Sequence, residues 1–198
     1  MIKKIIKLLL ILIIEYIYLC KEATSITIPE GSMILGNIKA PVTLIAYSSL
    51  TCFHCAKFYT KTLAKAKQKY IDKGLLKFIL ILFPLNQLDI KITLILESTP
   101  PIKKWPILIK LYQTQLAWIQ SRNEKEFIKK ISKTTGLNNE FIKNTINNKK
   151  KLAVILKKRI QIRKNFNIKT TPIFISGIHI WKYSISMKEI NNLCKSYE

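Results

Sequence analysis

Residues 42–83 constrain this chain most. They open with Val42-Thr43-Leu44-Ile45-Ala46-Tyr47, a short apolar, β-rich run that reads as a buried strand, and close with a second such run at 77–83, stopped by Pro84. Between the two, Cys52, Cys55, Ala56, Tyr59, Leu63, Ala66 and Tyr70 recur at three- and four-residue steps, the period of a helix with one buried face. Gly74 follows Asp72-Lys73, where it can take the left-handed turn that ends such a helix. Strand, helix and strand in this order make a βαβ unit, which requires parallel strands joined by a right-handed crossover.

Downstream the pattern turns helical. Apolar periodicity predicts helices over 90–96, 106–119 and 124–132, then a short one opened by Asn138 and closed at Asn147-Asn148. A longer basic helix follows over 149–165, with Leu152, Ile155, Leu156, Arg159 and Ile160 along one face. Residues 173–181 read as a hairpin turning at Ser176-Gly177. Ser186 and Glu189 form a capping box for a final helix that buries Ile190, Leu193, Cys194 and Tyr197. The resulting order is β, α, β, a helical block, α, a β-hairpin and a last α. It describes an α/β sandwich with a central mixed sheet and an inserted helical subdomain.

The first residues are of another kind. Lys3, Lys4 and Lys7 precede an aliphatic run at 8–14 that is short for a bilayer span, the layout of a secretory signal. Ala23-Thr24-Ser25 suits cleavage after Ser25, giving a signal peptide at 1–25 and a periplasmic protein. Lipidation at Cys20 and an uncleaved membrane anchor are the rival readings of this segment. The formal net charge is +23. Such a balance can mark a nucleic-acid or anionic-membrane partner. Here Lys, Ile and Asn are over-used along the whole chain, as A/T-rich coding would produce. No basic stripe is interleaved with aromatics and no phosphate-binding glycine loop is present, so a nucleic-acid partner is not expected.

Of four cysteines, Cys52 and Cys55 form the pair Cys52-Phe53-His54-Cys55 at the predicted helix start. A Cys-x-x-Cys is also half of a zinc site, but no second pair exists and the remaining candidates are Cys194, His54 and His179; no metal is expected. Only a thiolate attacks a disulfide, and a helix N-terminus favours the thiolate through its free N–H groups and partial positive charge. Cys52 is therefore expected to be the reactive thiol, with His54 adding a charge or hydrogen bond. Cys55, one turn in, is expected to stay protonated until it resolves a mixed disulfide. Thiolate stabilisation favours the reduced form and makes the disulfide a stronger oxidant. Buried on the last helix, Cys194 reads as structural, with a dimer-forming thiol as the rival. His179, on the hairpin, also reads as structural.

Thr171-Pro172 marks the start of the strand at 173, since proline cannot sit in that strand's middle. With the Cys-Phe-His-Cys helix start, Phe83-Pro84-Leu85-Asn86 and Thr171-Pro172 all in order, the chain resembles the DsbA-like thiol–disulfide oxidoreductases of bacterial envelopes. The resemblance runs from about Leu35 to the C-terminus and takes in Ala40-Pro41-Val42-Thr43, Ser49-Leu50-Thr51-Cys52 and Leu111-x-x-x-Gln115-x-x-Trp118. It implies a thioredoxin-like fold, with an N-terminal half at 26–86, an inserted helical subdomain at 87–148 and a C-terminal half at 149–198. It also implies a cis Pro172 beside the disulfide, a substrate edge made by Thr171, Pro172 and Phe53, and no cofactor beyond the Cys52–Cys55 disulfide. Partners would be exported proteins with free thiols and a quinone-linked membrane re-oxidant. A disulfide isomerase or reductase of the same fold, and a non-catalytic envelope protein with a structural disulfide, are the alternatives. One departure concerns Ala46, where many relatives carry a carboxylate, together with Ile81 and Leu82 where they carry charges. An apolar pocket is expected there, which leaves the acceptor of the Cys55 proton open.

Overall fold

Residues 28–197 are described by a computed structural model of the chain; the expected signal at 1–25, its cleavage point and Cys20 lie outside them. The βαβ unit is present. β2 (Val42–Ser48) runs parallel to β3 (Leu76–Leu82), with Leu44 opposite Phe78 and Ser48 opposite Leu82. Helix α1 (residues 53–71) makes the crossover. Its first residues are α-helical, but Phe58–Thr62 and Lys67–Ile71 are wound as π turns. Each π turn fits an extra residue into the coil, so neighbours that a regular helix would point apart both face inward. That is why Phe58 is buried beside Tyr59 and Ile71 beside Tyr70, although the sequence period assigned only Tyr59 and Tyr70 to the core.

Among the described residues five strands make one mixed sheet, in the order β1 (Met33–Leu35), β3, β2, β4 (Ile173–Ser176) and β5 (His179–Lys182). The edge strand β1 pairs antiparallel with β3 and was not anticipated, being only three residues long. Gly36 ends it at φ 98°, and a Cβ there would lie 2.8 Å from the Leu76 carbonyl oxygen, a clash that only glycine avoids. β4 lies antiparallel to β2, and β5 antiparallel to β4. Ser176 pairs with His179, so the hairpin turns at Gly177-Ile178, one residue later than expected.

The helical block occupies the span between β3 and β4. It comprises α2 (Gln87–Ser98), α3 (Pro101–Gln113), α4 (Gln115–Ile119), α5 (Glu124–Thr135), α6 (Asn139–Ile146) and α7 (Lys149–Phe166). Asn86, Asn123, Asn138 and Asn148 each accept a backbone N–H at a helix start. α2 forms despite its β-branched run because Ile92, Thr93, Leu94, Ile95 and Leu96 are all buried, and packing outweighs intrinsic propensity. The helix expected at 106–119 is two helices. Pro101 begins α3 at its first turn, which leaves Pro106 inside it, and the chain breaks at Thr114. On α7 the buried residues are Ile155 and Ile162; Ile160, expected inward, is exposed. The last helix, α8 (Met187–Cys194), starts with the expected capping box.

Leu44, Ala46, Phe78, Leu80 and Phe174 join α1 in the main core, where the Phe58 and Phe174 rings stand 4.5 Å apart. On the opposite sheet face Tyr47 meets Phe166 of α7 at 5.7 Å. The chain divides into two units, Met1–Glu30 and Gly31–Glu198, and every strand and helix named above belongs to the second. Among the described residues no helix is long and apolar enough to cross a membrane.

α8 contributes Tyr70's partner: the phenol donates to Asn191 Oδ1 at 2.8 Å. Its start depends on Ser186 Oγ accepting from Glu189 N, while Glu189 Oε2 accepts from Ser186 N at 2.6 Å. Removing one side of the box leaves an N–H of the first turn unpaired. Ser186→Ala is expected to destabilise the protein by about 1 kcal/mol, read as a lower denaturant midpoint at unchanged slope.

Candidate active site

β2 ends at Ser48, and Ser49-Leu50-Thr51 carries the chain to Cys52, which caps α1 with an extended backbone (φ −83°, ψ 121°). Cys52 is therefore the capping residue of α1, with its part-exposed sulfur at the helix start. Sγ lies 3.3 Å from the Thr171 carbonyl oxygen, to which it donates as a thiol. Thr171-Pro172 is a cis peptide bond leading directly into β4. The β2 end and the β4 start thus meet at the cysteine because those strands are sheet neighbours, with Tyr47 opposite Ile173.

The two thiols are held in unequal surroundings. Cys52 is part-exposed, and its pKa falls from the ordinary 9.0 to about 5. The Cys55 thiol lowers it most by hydrogen bonding to the sulfur, against the opposing effect of burial; Thr171 and the backbone N–H groups of Cys55 and His54 lower it further. The Thr171 hydroxyl is buried without a partner, which frees it to turn onto a thiolate. Cys55 is wholly buried, and that burial, reinforced by the neighbouring Cys52 sulfur, pushes its thiol well above 9. At neutral pH one sulfur is a thiolate and the other a thiol.

His54 projects into solvent, its ring edge-on to Phe53 at 6.2 Å, and reaches Cys52 through its backbone N–H. Phe53 is 64% exposed beside the sulfur. His179 stands out in the sheet at β5, against Trp181, and Cys194 is buried on α8; neither joins the pair. Among the described residues no three of His, Cys, Asp and Glu gather as metal ligands. Ala46 is fully enclosed, and its register partners on the flanking strands are Phe174 and Leu80, so its surroundings are apolar.

What the sequence did not reveal is the polar support behind Cys52. Gln115 Nε2 donates to the carbonyls of Leu50 (2.8 Å) and Cys52 (3.1 Å), and the Tyr112 hydroxyl donates to Ser49 O at 3.1 Å. Trp118 Nε1 donates to Leu111 O, so the Leu111-x-x-x-Gln115-x-x-Trp118 pattern is a packed unit with its amide aimed at the cysteine loop. Asp89, fully buried in the first turn of α2, binds the same loop. Its signal was present, an acid three residues after a capping asparagine, but the helix had been expected to begin one residue beyond it.

The sequence profile of the family described as thioredoxin matches residues 29–196. The chain belongs to the thioredoxin family. Within it, the chain is 26% identical over 160 residues to a Rickettsia conorii protein assigned as a protein-disulfide oxidoreductase, a match covering 80% of this chain and 58% of the relative. It therefore spans a little under three-fifths of that curated relative's length. Its fold is similar to Wolbachia pipientis alpha-DsbA1, with TM-score 0.74 and 23% identity over 88% of this chain and 94% of the other. Oxidised BdbD from Bacillus subtilis is similar too, with TM-score 0.68 and 23% identity over 84% of this chain and 92% of that one. This thioredoxin-family chain thus has the DsbA-like form of the fold, a mixed five-stranded sheet carrying a helical block between its third and fourth strands.

Proposed function

We propose that this chain is a thiol–disulfide oxidoreductase that donates a Cys52–Cys55 disulfide to exported proteins as they fold in the periplasm. The unequal ionisation of the pair carries the reading. A part-exposed thiolate beside a buried thiol is what exchange chemistry needs, whereas a structural staple gains nothing from it. A substrate thiolate attacks Cys52 of the disulfide, forming a substrate–Cys52 bond and breaking Cys52–Cys55. The electron pair leaves on Cys55, which takes up a proton in its buried site. The substrate's second thiolate then attacks its own sulfur in the mixed disulfide, and Cys52 departs as the stabilised thiolate. A low-pKa leaving group speeds that last step and draws the exchange toward the reduced enzyme, as an oxidant requires.

Phe53, Thr171 and the cis Pro172 form the substrate edge in this proposal, with the exposed Phe53 ring offering apolar contact beside the sulfur. The helical span at 87–148 acts as an inserted subdomain covering the cysteine loop from behind. No cofactor beyond the disulfide is involved, and a quinone-linked membrane partner restores it by accepting the two electrons. His54 acts through its backbone N–H, with its imidazole available to an incoming substrate.

Titrating the thiolate absorbance of the reduced protein checks this reading. One group is expected to ionise near pH 5, and it should vanish in Cys52→Ser. Ionisation of Cys52 near its ordinary value would overturn the oxidase assignment.

A further inference from the structure

Leu50 sits two residues before Cys52, and both of its backbone polar groups are claimed by the helical block. Its carbonyl accepts from Gln115 of α4, while its N–H donates to Asp89 Oδ1 of α2 at 2.9 Å. The other carboxylate oxygen, Oδ2, accepts from Leu85 N at 2.8 Å. Asn86 backs the arrangement from both sides, since its Oδ1 accepts from Asp89 N and its Nδ2 donates to Thr51 Oγ1 at 3.2 Å. Thr51 Oγ1 also meets Ser49 Oγ at 3.1 Å, and Cys52 N donates back to Ser49 O at 3.3 Å.

We propose that Asp89 is a positioning residue for the thiol chemistry, its carboxylate tying the Ser49-Leu50-Thr51 loop through Oδ1 to the Leu85 end of the β3–α2 connection through Oδ2, and thereby fixing the place of Cys52 at the start of α1. The inference rests on the reading of Cys52 as the reacting thiol. Two backbone N–H donors converge on one fully buried side chain, and only a carboxylate of this length offers an acceptor to each. An amide has one acceptor and one donor, so it would set its NH2 against the N–H of Leu50 or Leu85. Burying a carboxylate among neutral partners is costly, and burial lifts this one to about 6. It is the acceptor-only anion at neutral pH and mostly protonated where Cys52 titrates, so the Cys52 titration in Asp89→Asn compares two uncharged side chains, of which only the amide must set an NH2 against one of the two N–H groups.

What the loop controls is where Cys52 Sγ sits relative to the N–H groups of His54 and Cys55 and to the Thr171 hydroxyl. Those contacts lower its pKa, and hydrogen bonds lose strength steeply with misalignment. A loosened loop therefore costs Cys52 its acidity before it costs the protein its fold.

The test is the Cys52 pKa, read by thiolate absorbance on the reduced full chain, in Asp89→Asn and in Asn86→Ala. Asp89→Asn is expected to raise that pKa by about one unit, an approximately tenfold loss of thiolate at pH values below it. Asn86→Ala, at an exposed site that threatens folding less, should raise it by a smaller amount in the same direction. A folded Asp89→Asn protein with lowered stability and an unchanged Cys52 pKa would reduce Asp89 to a structural role and overturn the proposal. If Asp89→Asn fails to fold, an unchanged pKa in Asn86→Ala has the same force. A wild-type Cys52 that ionises near its ordinary value would instead defeat the reading of Cys52 itself, and the wild-type titration tells the two failures apart.

Discussion

Cys52→Ser is expected to abolish oxidation of a dithiol peptide, a loss on the order of a thousandfold or more, because the hydroxyl that replaces the thiol can neither form the disulfide nor leave as a thiolate. Cys55→Ser should lose turnover equally but behave differently in one respect. Its Cys52 retains a part-exposed sulfur and the Thr171 hydroxyl and backbone contacts that lower its pKa, although the Cys55 hydrogen bond, the largest contribution, is weakened. It therefore still attacks a substrate disulfide, but the buried position that would resolve the adduct now holds a hydroxyl. A covalent enzyme–substrate species should accumulate, visible by mass and released by added dithiol. Residual turnover in Cys52→Ser, an adduct trapped on Cys55 in that variant, or no adduct on Cys52 in Cys55→Ser would contradict the assignment of roles.

The parts of the molecule that were legible in advance are those set by local pattern. The βαβ unit followed from two apolar runs and one helical period. The capping asparagine at 138, the Ser186–Glu189 box and the glycine end of α1 followed from single residues with one physical use; Gly74 indeed takes φ 74°. The misreadings share a cause, which is that tertiary packing rewrote a local rule. Two π turns widened the buried face of α1 to include Phe58 and Ile71. In α7 Ile155 is buried on the expected face, but its buried companion is Ile162 and Ile160 is exposed.

At the candidate site the same division holds. The cysteine pair and Thr171-Pro172 are contiguous signatures and could be read directly. The residues that fix the cysteine loop come from α2, α3 and α4, and Asp89 reaches Leu50 across 39 residues of sequence. No spacing rule spans such a distance. The apolar closure over Ala46 was anticipated as a loss of charge, whereas the buried carboxylate near the cysteine loop was not anticipated at all. It enters from the first turn of α2 and not from β2, the strand that holds Ala46.

The second large effect is a pH-dependent gap in stability between the reduced and oxidised proteins. Cys52 of the reduced chain ionises at about 5 when folded, against an ordinary 9.0. A depressed pKa contributes stability that is complete above the unfolded value and is lost as pH falls through the folded one. The reduced protein should therefore gain on the oxidised one as pH rises from 5 toward 9. Asp89, raised to about 6, works in the opposite sense: its burial favours the fold at low pH and the benefit fades as pH rises through 6. That carboxylate is present in both redox forms, so it cancels to first order in their difference. Cys55 stays protonated throughout the window and adds no slope. The entropy of closing the short Cys52–Cys55 loop shifts the gap by a constant, since it does not depend on pH. Between pH 5 and 7 the change amounts to about 1–2 kcal/mol in favour of the reduced protein, after discounting for a sulfur that is partly in solvent. Parallel denaturant titrations of both forms measure it. A gap that stays flat over this range, or one that survives in Cys52→Ser, would show that the thiolate is not the linked group. The same thiolate enters the reduction equilibrium, so the potential of the pair must move with this gap: what stabilises the folded dithiol also makes the disulfide more oxidising.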